Sequence, residues 1–401
     1  MPDPTLDIPG SEGLATRGSN QAGMRAHNER LVLSLVRQGG ELSKTDIAQM
    51  TGLSAQTVSV IMRGLEAEGL LVKGEPIRGR IGQPSVPMSL NGDGAFFFGL
   101  KIGRRSVDLA LVDFLGNIRG FRRQVWSYPT PDAVLDFVEK ALPILKGELP
   151  KKLQSRIVGL GVAMPFQLWS WIEHVGAPQH EMDAWRVRDI QSELAALTGI
   201  GVHVQNDATA ACGAELVFGT GERPKDFLYF YLAYFIGGGL VLNGRLYTGR
   251  SGNAAGMGPM PVPTNSGEPR RLIEVASMSV LARDLEKAGE DARQLWETPD
   301  WTVKNSEVLD RWLTEAANGL AHASLSATTL LELHSILIDG WVPSEVRAEI
   351  TRRTHDAFHK LDLSGIEPPV IREGTVGPQA RVLGAAAIPL AMRYLTETGV
   401  S

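Results

Sequence analysis

Residues 42–71, LSKTDIAQMTGLSAQTVSVIMRGLEAEGLL, restrict the chain more than any other stretch. They specify two short helices joined by a tight turn. Ser43 supplies a side-chain cap for the first helix, with Asp46 three residues on to favour its positive end. Ala48 is small where the helices must approach, and Gly52 sits in the turn, where a left-handed backbone costs least. Ser54 caps the second helix, whose apolar residues Val58, Ile61, Met62 and Leu65 recur at helical spacing. That spacing turns Ala55, Gln56, Thr57, Ser59, Val60 and Arg63 outward. A short polar face with one cation, at the front of a helix held across a turn, suits insertion into a DNA major groove. The competing reading, an ordinary helical hairpin, would usually place more charge on that face. Ser54, Gln56, Thr57, Ser59 and Arg63 are therefore the candidate DNA contacts on this helix.

The following residues extend the pattern. Residues 69–72 read as a helix end running into a strand, and 85–90 as a second extended run. Between them Arg78-Gly79-Arg80-Ile81-Gly82-Gln83-Pro84 forms a loop with no acidic residue. This is the outline of a winged helix-turn-helix, with Arg78 and Arg80 able to reach phosphates or a narrow minor groove. A solvated basic turn is the alternative.

Composition sets the limits. At 401 residues with 43% hydrophobic content the chain exceeds one small domain and can bury a large core. Its net charge of −5 argues against indiscriminate coating of nucleic acid. Residues 25–90 carry 8 Lys/Arg against 6 Asp/Glu, so the DNA argument rests on pattern rather than bulk charge. The single cysteine, Cys212, excludes an internal disulfide and a cysteine-rich zinc cluster. Residues 1–24, rich in Pro, Gly and Ser, lack the apolar segment of a signal peptide and are expected to form a mobile arm. The longest apolar run, 228–242, contains three glycines and is too short to span a bilayer, which gives a cytoplasmic expectation and no membrane partner.

Beyond residue 94 the periodicity changes. Strands are expected at 95–101, 107–113 and 118–125, a helix over 131–146, a buried strand at 157–163, a helix at 189–197, a short strand at 202–205 and a helix from about 208. The arrangement then recurs, with strands at 227–233 and 239–242, a helix from Ile273, a long helix over 306–331, a strand at 335–338 and a last helix over 379–395. Two units of strands followed by alternating helices imply two α/β lobes with a cleft between them.

Several motifs give this body a resemblance. Asn206-Asp207-Ala208 with Ala210-Ala211, Gly237-Gly238-Gly239 and Glu274-Val275-Ala276-Ser277 resemble the ROK family of sugar kinases and sugar-responsive repressors. Residues 159–165 and Leu383-Gly384-Ala385-Ala386 support the likeness, which covers about residues 25–395. It implies an α/β body of the actin-like ATPase (ribonuclease H-like) fold behind a winged helix-turn-helix, the layout of the family's repressors. The expected divisions are an arm at 1–24, a DNA-binding head at 25–90, a first lobe at 91–210, a second lobe at 211–375, and a helix at 376–401 returning to the first lobe.

The same resemblance marks departures from a kinase. Where family kinases place a carboxylate and a Gly-Gly-Thr turn for phosphate and Mg²⁺, this chain has Lys101-Ile102-Gly103-Arg104-Arg105-Ser106. A second phosphate loop, usually Gly-Thr-Gly, is Ala233-Tyr234-Phe235, and the nucleotide-side glycines are Asp339-Gly340-Trp341. Arg104 and Arg105 could instead bind a phosphorylated effector, but solvated surface arginines are the favoured reading. The sugar side is better kept. Asp207 stands where the family has its catalytic base, Asn206 beside it offers an amide, Glu274 matches a sugar-contacting glutamate, and Gln179 lies in a sugar-contacting loop. Gly256 and Pro259 replace a family glutamate and a histidine that serves as sugar contact and zinc ligand. The resulting expectation is a sequence-specific transcriptional repressor of carbohydrate metabolism, without kinase activity, metal or cofactor. Its partners are a double-stranded DNA operator, a carbohydrate effector and a second copy, as a homodimer or dimer of dimers. The rivals are a sugar kinase with a DNA-binding appendage and a ligand-independent DNA-binding regulator.

Overall fold

A computed structural model describes residues 21–76, 86–171, 177–222, 224–264 and 268–396. The head is built from α1 (Gln21–Gly39), α2 (Lys44–Thr51), α3 (Ala55–Ala67) and the antiparallel pair β1 (Leu71–Lys73) and β2 (Met88–Leu90). Its local chemistry follows the expected signals. Ser43 and Asp46 form a reciprocal capping box, Gly52 closes α2 at φ +70°, and Ser54 Oγ accepts the Thr57 N–H at the start of α3. Val58, Ile61, Met62 and Leu65 are buried. The wing loop, with Arg78 and Arg80, lies outside the described residues.

The body consists of two five-stranded sheets of the same topology. The first comprises β3 (Phe96–Ile102), β4 (Ser106–Asp113), β5 (Ile118–Val125), β6 (Ile157–Met164) and β7 (Val202–Asn206) in the order β5-β4-β3-β6-β7. Its first three strands form an antiparallel meander, and β6 and β7 add parallel to β3. The helices α4 (Pro131–Glu148), α5 (Gln179–Val187) and α6 (Ile190–Thr198) supply the other side of its core. After α7 (Asp207–Phe218) the pattern repeats in β8 (Phe227–Leu232), β9 (Gly237–Leu242), β10 (Arg245–Tyr247) and, after an excursion, β13 and β14. The excursion contains β11 (Pro261–Val262), β12 (Arg270–Arg271), α8 (Ile273–Ala276), α9 (Met278–Lys287), α10 (Gln294–Glu297) and the long α11 (Ser306–Leu331). Then β13 (Ser335–Gly340), α12 (Ser344–Phe358) and β14 (Val370–Glu373) complete the sheet β10-β9-β8-β13-β14, with β13 and β14 again parallel. No described helix is long and apolar enough to cross a membrane.

The last helix, α13 (Ala380–Tyr394), returns to the first lobe, packing on β3, β6 and α7. Small residues make this possible. A Cβ added to Gly384 would lie 1.9 Å from the Ala210 carbonyl oxygen on α7, and one on Gly161 of β6 would lie 1.8 Å from that of Ala385. Gly99 of β3 faces the Val382 carbonyl in the same way, at 2.2 Å. Head and body share a core, because Val32, Leu33 and Val36 of α1 pack in one cluster with Phe114, Leu390 and Leu395. Arg37 reinforces the joint by donating to the Phe114 carbonyl at 2.6 Å while lying over its ring. Ser34 Oγ accepts the Thr396 N–H at 3.0 Å, and Asn91 donates to the Gly69 carbonyl at 2.7 Å.

Several expectations need correction. Residues 21–24, expected within the arm, belong to α1; residues 1–20 lie outside the described residues. The helix expected from Ile273 is two helices, broken at Ser277, whose hydroxyl accepts the Ile236 N–H across the lobe. Residue 179, expected in a loop, opens α5. α12 and β14 carry no counterpart among the expected elements.

The α13 contact yields a stability prediction. Gly384→Ala forces its new methyl against the α7 backbone and should cost about 1–3 kcal/mol or more in urea unfolding. Gly147→Ala, inside α4 with open space around it, should instead stabilise by roughly 0.5–1 kcal/mol. Equal midpoints for the two variants would refute the close packing.

Candidate DNA-binding head and interlobe cleft

On the recognition helix, Gln56 and Arg63 are exposed, while Thr57 and Ser59 are half-buried. Thr57, Ser59 and Arg63 each carry a local contact that orients them. Ser54 Oγ and Thr57 Oγ1 lie 2.8 Å apart, Lys44 donates to Ser59 Oγ at 3.3 Å, and Arg63 Nε reaches the Ser59 carbonyl at 3.2 Å. These are side chains that can exchange a weak local bond for a base edge or a phosphate, and Lys44 adds a cation that the sequence reading did not single out.

The cleft between the lobes has two sides of different character. On one side, the segment joining β3 to β4 is packed with cations. Lys101 is buried and donates to Ser106 Oγ at 2.6 Å, with Asp108 at 3.2 Å. Burial pulls its ammonium down to about 8, and Arg381 and Arg123 act in the same direction against Asp108. Burial likewise lowers the Arg104 guanidinium to about 10. Arg104 lies over Phe235 at 4.6 Å, Arg105 over Tyr234 at 5.7 Å, and Arg123 over Trp341 at 4.4 Å. Arg123 also donates to the Trp296 carbonyl at 2.8 Å. Arg104 and Arg105 are therefore not solvated surface arginines: first-lobe cations are stacked on second-lobe aromatic rings. The space left among them is about 40 Å³.

The other side is open. A cavity of about 490 Å³ lies between the 164–169 turn, the end of β7 and the 248–252 loop, and Asn206 lines it with Phe166, Trp169, Gln205 and Arg250. Asn206 caps α7 through its Oδ1, which accepts the Ala208 and Thr209 N–H groups. Asp207 is the first residue of α7; one oxygen accepts the Ala208 N–H and the other faces Arg381 Nη1 at 3.4 Å. Glu274, the second residue of α8, is held by Arg271 through the arginine side chain at 2.6 Å and its backbone N–H at 3.1 Å. The Arg271 hydrogen bond keeps its carboxyl below the ordinary glutamate range. Gln179 is exposed and donates to Asp183 at 2.9 Å. Among the expected sugar contacts, Asn206 is the one lining this cavity, while Asp207, Glu274 and Gln179 are each engaged by another partner. Gly256 and Pro259 sit in a loop bound to α8 through the Ile273 N–H and the Gly258 carbonyl, so that wall offers backbone rather than the lost acid and imidazole. Phe166 and Trp169 were not anticipated, although aromatic rings beside an amide suit a sugar's apolar face and hydroxyls. Gln167 between them has φ +48°, a conformation that non-glycine residues seldom adopt.

Residues 97–391 match the ROK family, and residues 26–80 match the MarR family. The chain belongs to the ROK family. A transcriptional regulator of Mycobacterium tuberculosis is 24% identical over 390 residues, covering 92% of this chain and 86% of that one. The xylose repressor of Bacillus subtilis is 23% identical over 247 residues, 62% of this chain and 63% of the repressor. Among solved structures, a ROK family transcriptional regulator described as a homologue of the E. coli MLC protein superposes with a TM-score of 0.66 at 20% identity, covering 92% of this chain and 97% of that chain. A ROK family glucokinase from Streptomyces griseus, in complex with glucose and AMPPNP, gives a TM-score of 0.57 at 18% identity over 73% of this chain and 98% of the glucokinase. The actin-like body and winged-helix head are thus those of ROK transcriptional regulators, and ROK kinases share the body.

The exposed face of α3 generates a prediction. Gln56→Ala should weaken binding to a selected operator by about 1–3 kcal/mol and leave affinity for random duplex nearly unchanged. Exchanging Arg78 and Arg80 together for alanine should weaken both and flatten the dependence on salt. Fluorescence anisotropy over a salt series measures both effects. Equal losses on operator and random DNA for Gln56→Ala would mean that α3 does not read sequence.

Proposed function

We propose that this ROK regulator represses genes of carbohydrate metabolism, reads its operator as a dimer through α3 and the wing, senses a carbohydrate between its lobes, and transfers no phosphoryl group. The observation that carries this reading is the filling of the cleft on its phosphate side. Phosphoryl transfer needs backbone N–H groups around the phosphates and a carboxylate near Mg²⁺. Lys101, Arg104 and Arg105 occupy that segment here, and Tyr234 and Trp341 fill the space opposite. A nucleotide would have to displace three arginine–aromatic pairs. The name of the xylose repressor favours a sugar as effector, and the open cavity beside Asn206, with Phe166 and Trp169, supplies a place for one.

The proposed control is linkage. A sugar that prefers one disposition of the lobes shifts their equilibrium, and the shared core at α1 and α13 carries the change to the head. Asp207, Asn206, Glu274 and Gln179 are the proposed sugar contacts, with Asp207 exchanging Arg381 for a hydroxyl. The site of action of such a regulator is the cytoplasm.

Two measurements test this. A coupled ADP-release assay with MgATP and a panel of mono- and disaccharides should show no turnover above background, whereas rates near the roughly 1–100 s⁻¹ of kinases would establish the enzyme instead. Calorimetric titration of whichever sugar shifts the melting temperature should lose about one to two decades of affinity in Asp207→Asn, the worth of a charge-assisted hydrogen bond of roughly 1.5–3 kcal/mol. Unchanged affinity in a folded Asp207→Asn protein would take Asp207 out of the effector site.

A further inference from the structure

We propose that the open side of the cleft takes a disaccharide, one ring held by the polar groups about Asn206 and the second stacked on Phe166 and Trp169. The proposal rests on the carbohydrate reading above and narrows it to a ligand of two linked rings.

The cavity of about 490 Å³ extends beyond the expected one-ring contacts. Asn206 lines it, whereas Asp207, Glu274 and Gln179 do not. A ligand that meets Asp207 at the start of α7 and also fills the cavity must therefore reach past Asn206 to the 164–169 turn. Pockets of about 300–1,000 Å³ enclose ligands of drug size, a class into which a disaccharide falls and a single hexose does not.

The lining has the chemistry of a sugar platform. Phe166 is 38% exposed, and Trp169 packs against the first-lobe core, beside the buried Leu168, while also lining the cavity. Gln167 between them holds φ +48°, a costly backbone conformation of the kind found at ligand clamps. The C–H face of a pyranose ring is apolar and packs on aromatic faces, while its rim of oxygens seeks hydrogen bonds. The Asn206 amide spends Oδ1 on the Ala208 and Thr209 N–H groups, which leaves Nδ2 as a donor to a ring or bridging oxygen. Gln205, Arg250 and Ser251 add further polar groups.

The walls come from both lobes. The 248–252 loop of the second lobe is turned by Gly249 and Gly252, at φ +69° and +75°, and closed by the Ala254 N–H on the Thr248 carbonyl at 3.0 Å. The 164–169 turn and the end of β7 belong to the first lobe. A ring on Phe166 and Trp169 therefore lies between the lobes, where it biases their disposition.

The test is calorimetric titration of the full chain with maltose, cellobiose and xylobiose beside glucose and xylose. At least one disaccharide should bind about tenfold tighter than its own monosaccharide, as expected for an added ring face buried on aromatic surface. Phe166→Ala should remove most of that gain while changing the monosaccharide affinity less, and Phe166→Tyr, which keeps the ring, should retain it. Operator affinity without sugar reports the fold of both variants and should match the parent's. Asp207→Asn should weaken disaccharide and monosaccharide alike. A monosaccharide that binds as tightly as every disaccharide keeps the carbohydrate reading and overturns this proposal. So does a disaccharide advantage that Phe166→Ala leaves intact. Absence of binding by any of these sugars overturns the proposal together with the reading on which it rests.

Discussion

The contact of α13 with α7, backbone against backbone at Gly384 and Ala210, is the constraint on which the rest of the structure depends. Only a residue without a side chain permits that approach, and Gly161 and Gly99 extend it to the sheet beneath. Its consequences run in both directions along α13. At the N-terminal end it brings Arg381 to Asp207 at the mouth of the cleft. At the C-terminal end Leu390 and Leu395 pack with α1 of the head, and Thr396 bonds Ser34. One rigid helix thus touches both the residue proposed to meet a sugar and the element that carries the recognition helix. A change in the partner of Asp207 has a direct physical route to the DNA-binding surface.

The second determining feature is the exchange of flexibility for charge on the phosphate side. A phosphate loop needs small residues, so that N–H groups can converge on an anion. Here long cations and large rings occupy the same place and pair across the lobes, so the cleft is latched where a kinase must open. Lys101 shows the electrostatic cost, its ammonium depressed by burial and by neighbouring arginines. The opposite side keeps an open cavity, so one half of the cleft is closed while the other stays available.

Much of this was legible in the residues because it is local. The capping box at Ser43 and Asp46, the left-handed Gly52 and the Ser54 cap each act within four positions, so the helix-turn-helix could be read directly. The first sheet and the three central strands of the second were legible as extended runs, while the edge strands β10 and β14 were not read. α12 was missed because its buried face mixes Thr351 and Thr354 with Val346, Ile350 and Phe358, which blunts the apolar stripe. α1 was missed because its buried residues are confined to its second half, after a polar start beside a Gly- and Ser-rich segment. The surface reading of Arg104 and Arg105 failed for a different reason: their partners, Phe235 and Tyr234, lie some 130 residues away, and nothing near the arginines announces them. Arg381 as partner of Asp207 was likewise invisible, being set by a helix crossing 174 residues along the chain.

The central claim, that the body senses and does not catalyse, is tested most directly by titrating a fluorescent operator duplex with the full chain, with and without a saturating sugar, in the absence of nucleotide. The account predicts that the sugar alone changes operator affinity by about tenfold or more, a coupling within the usual allosteric range, and that added MgATP changes nothing further. A sugar that binds yet leaves operator affinity unchanged, or an effect that appears only when MgATP is present, would contradict it.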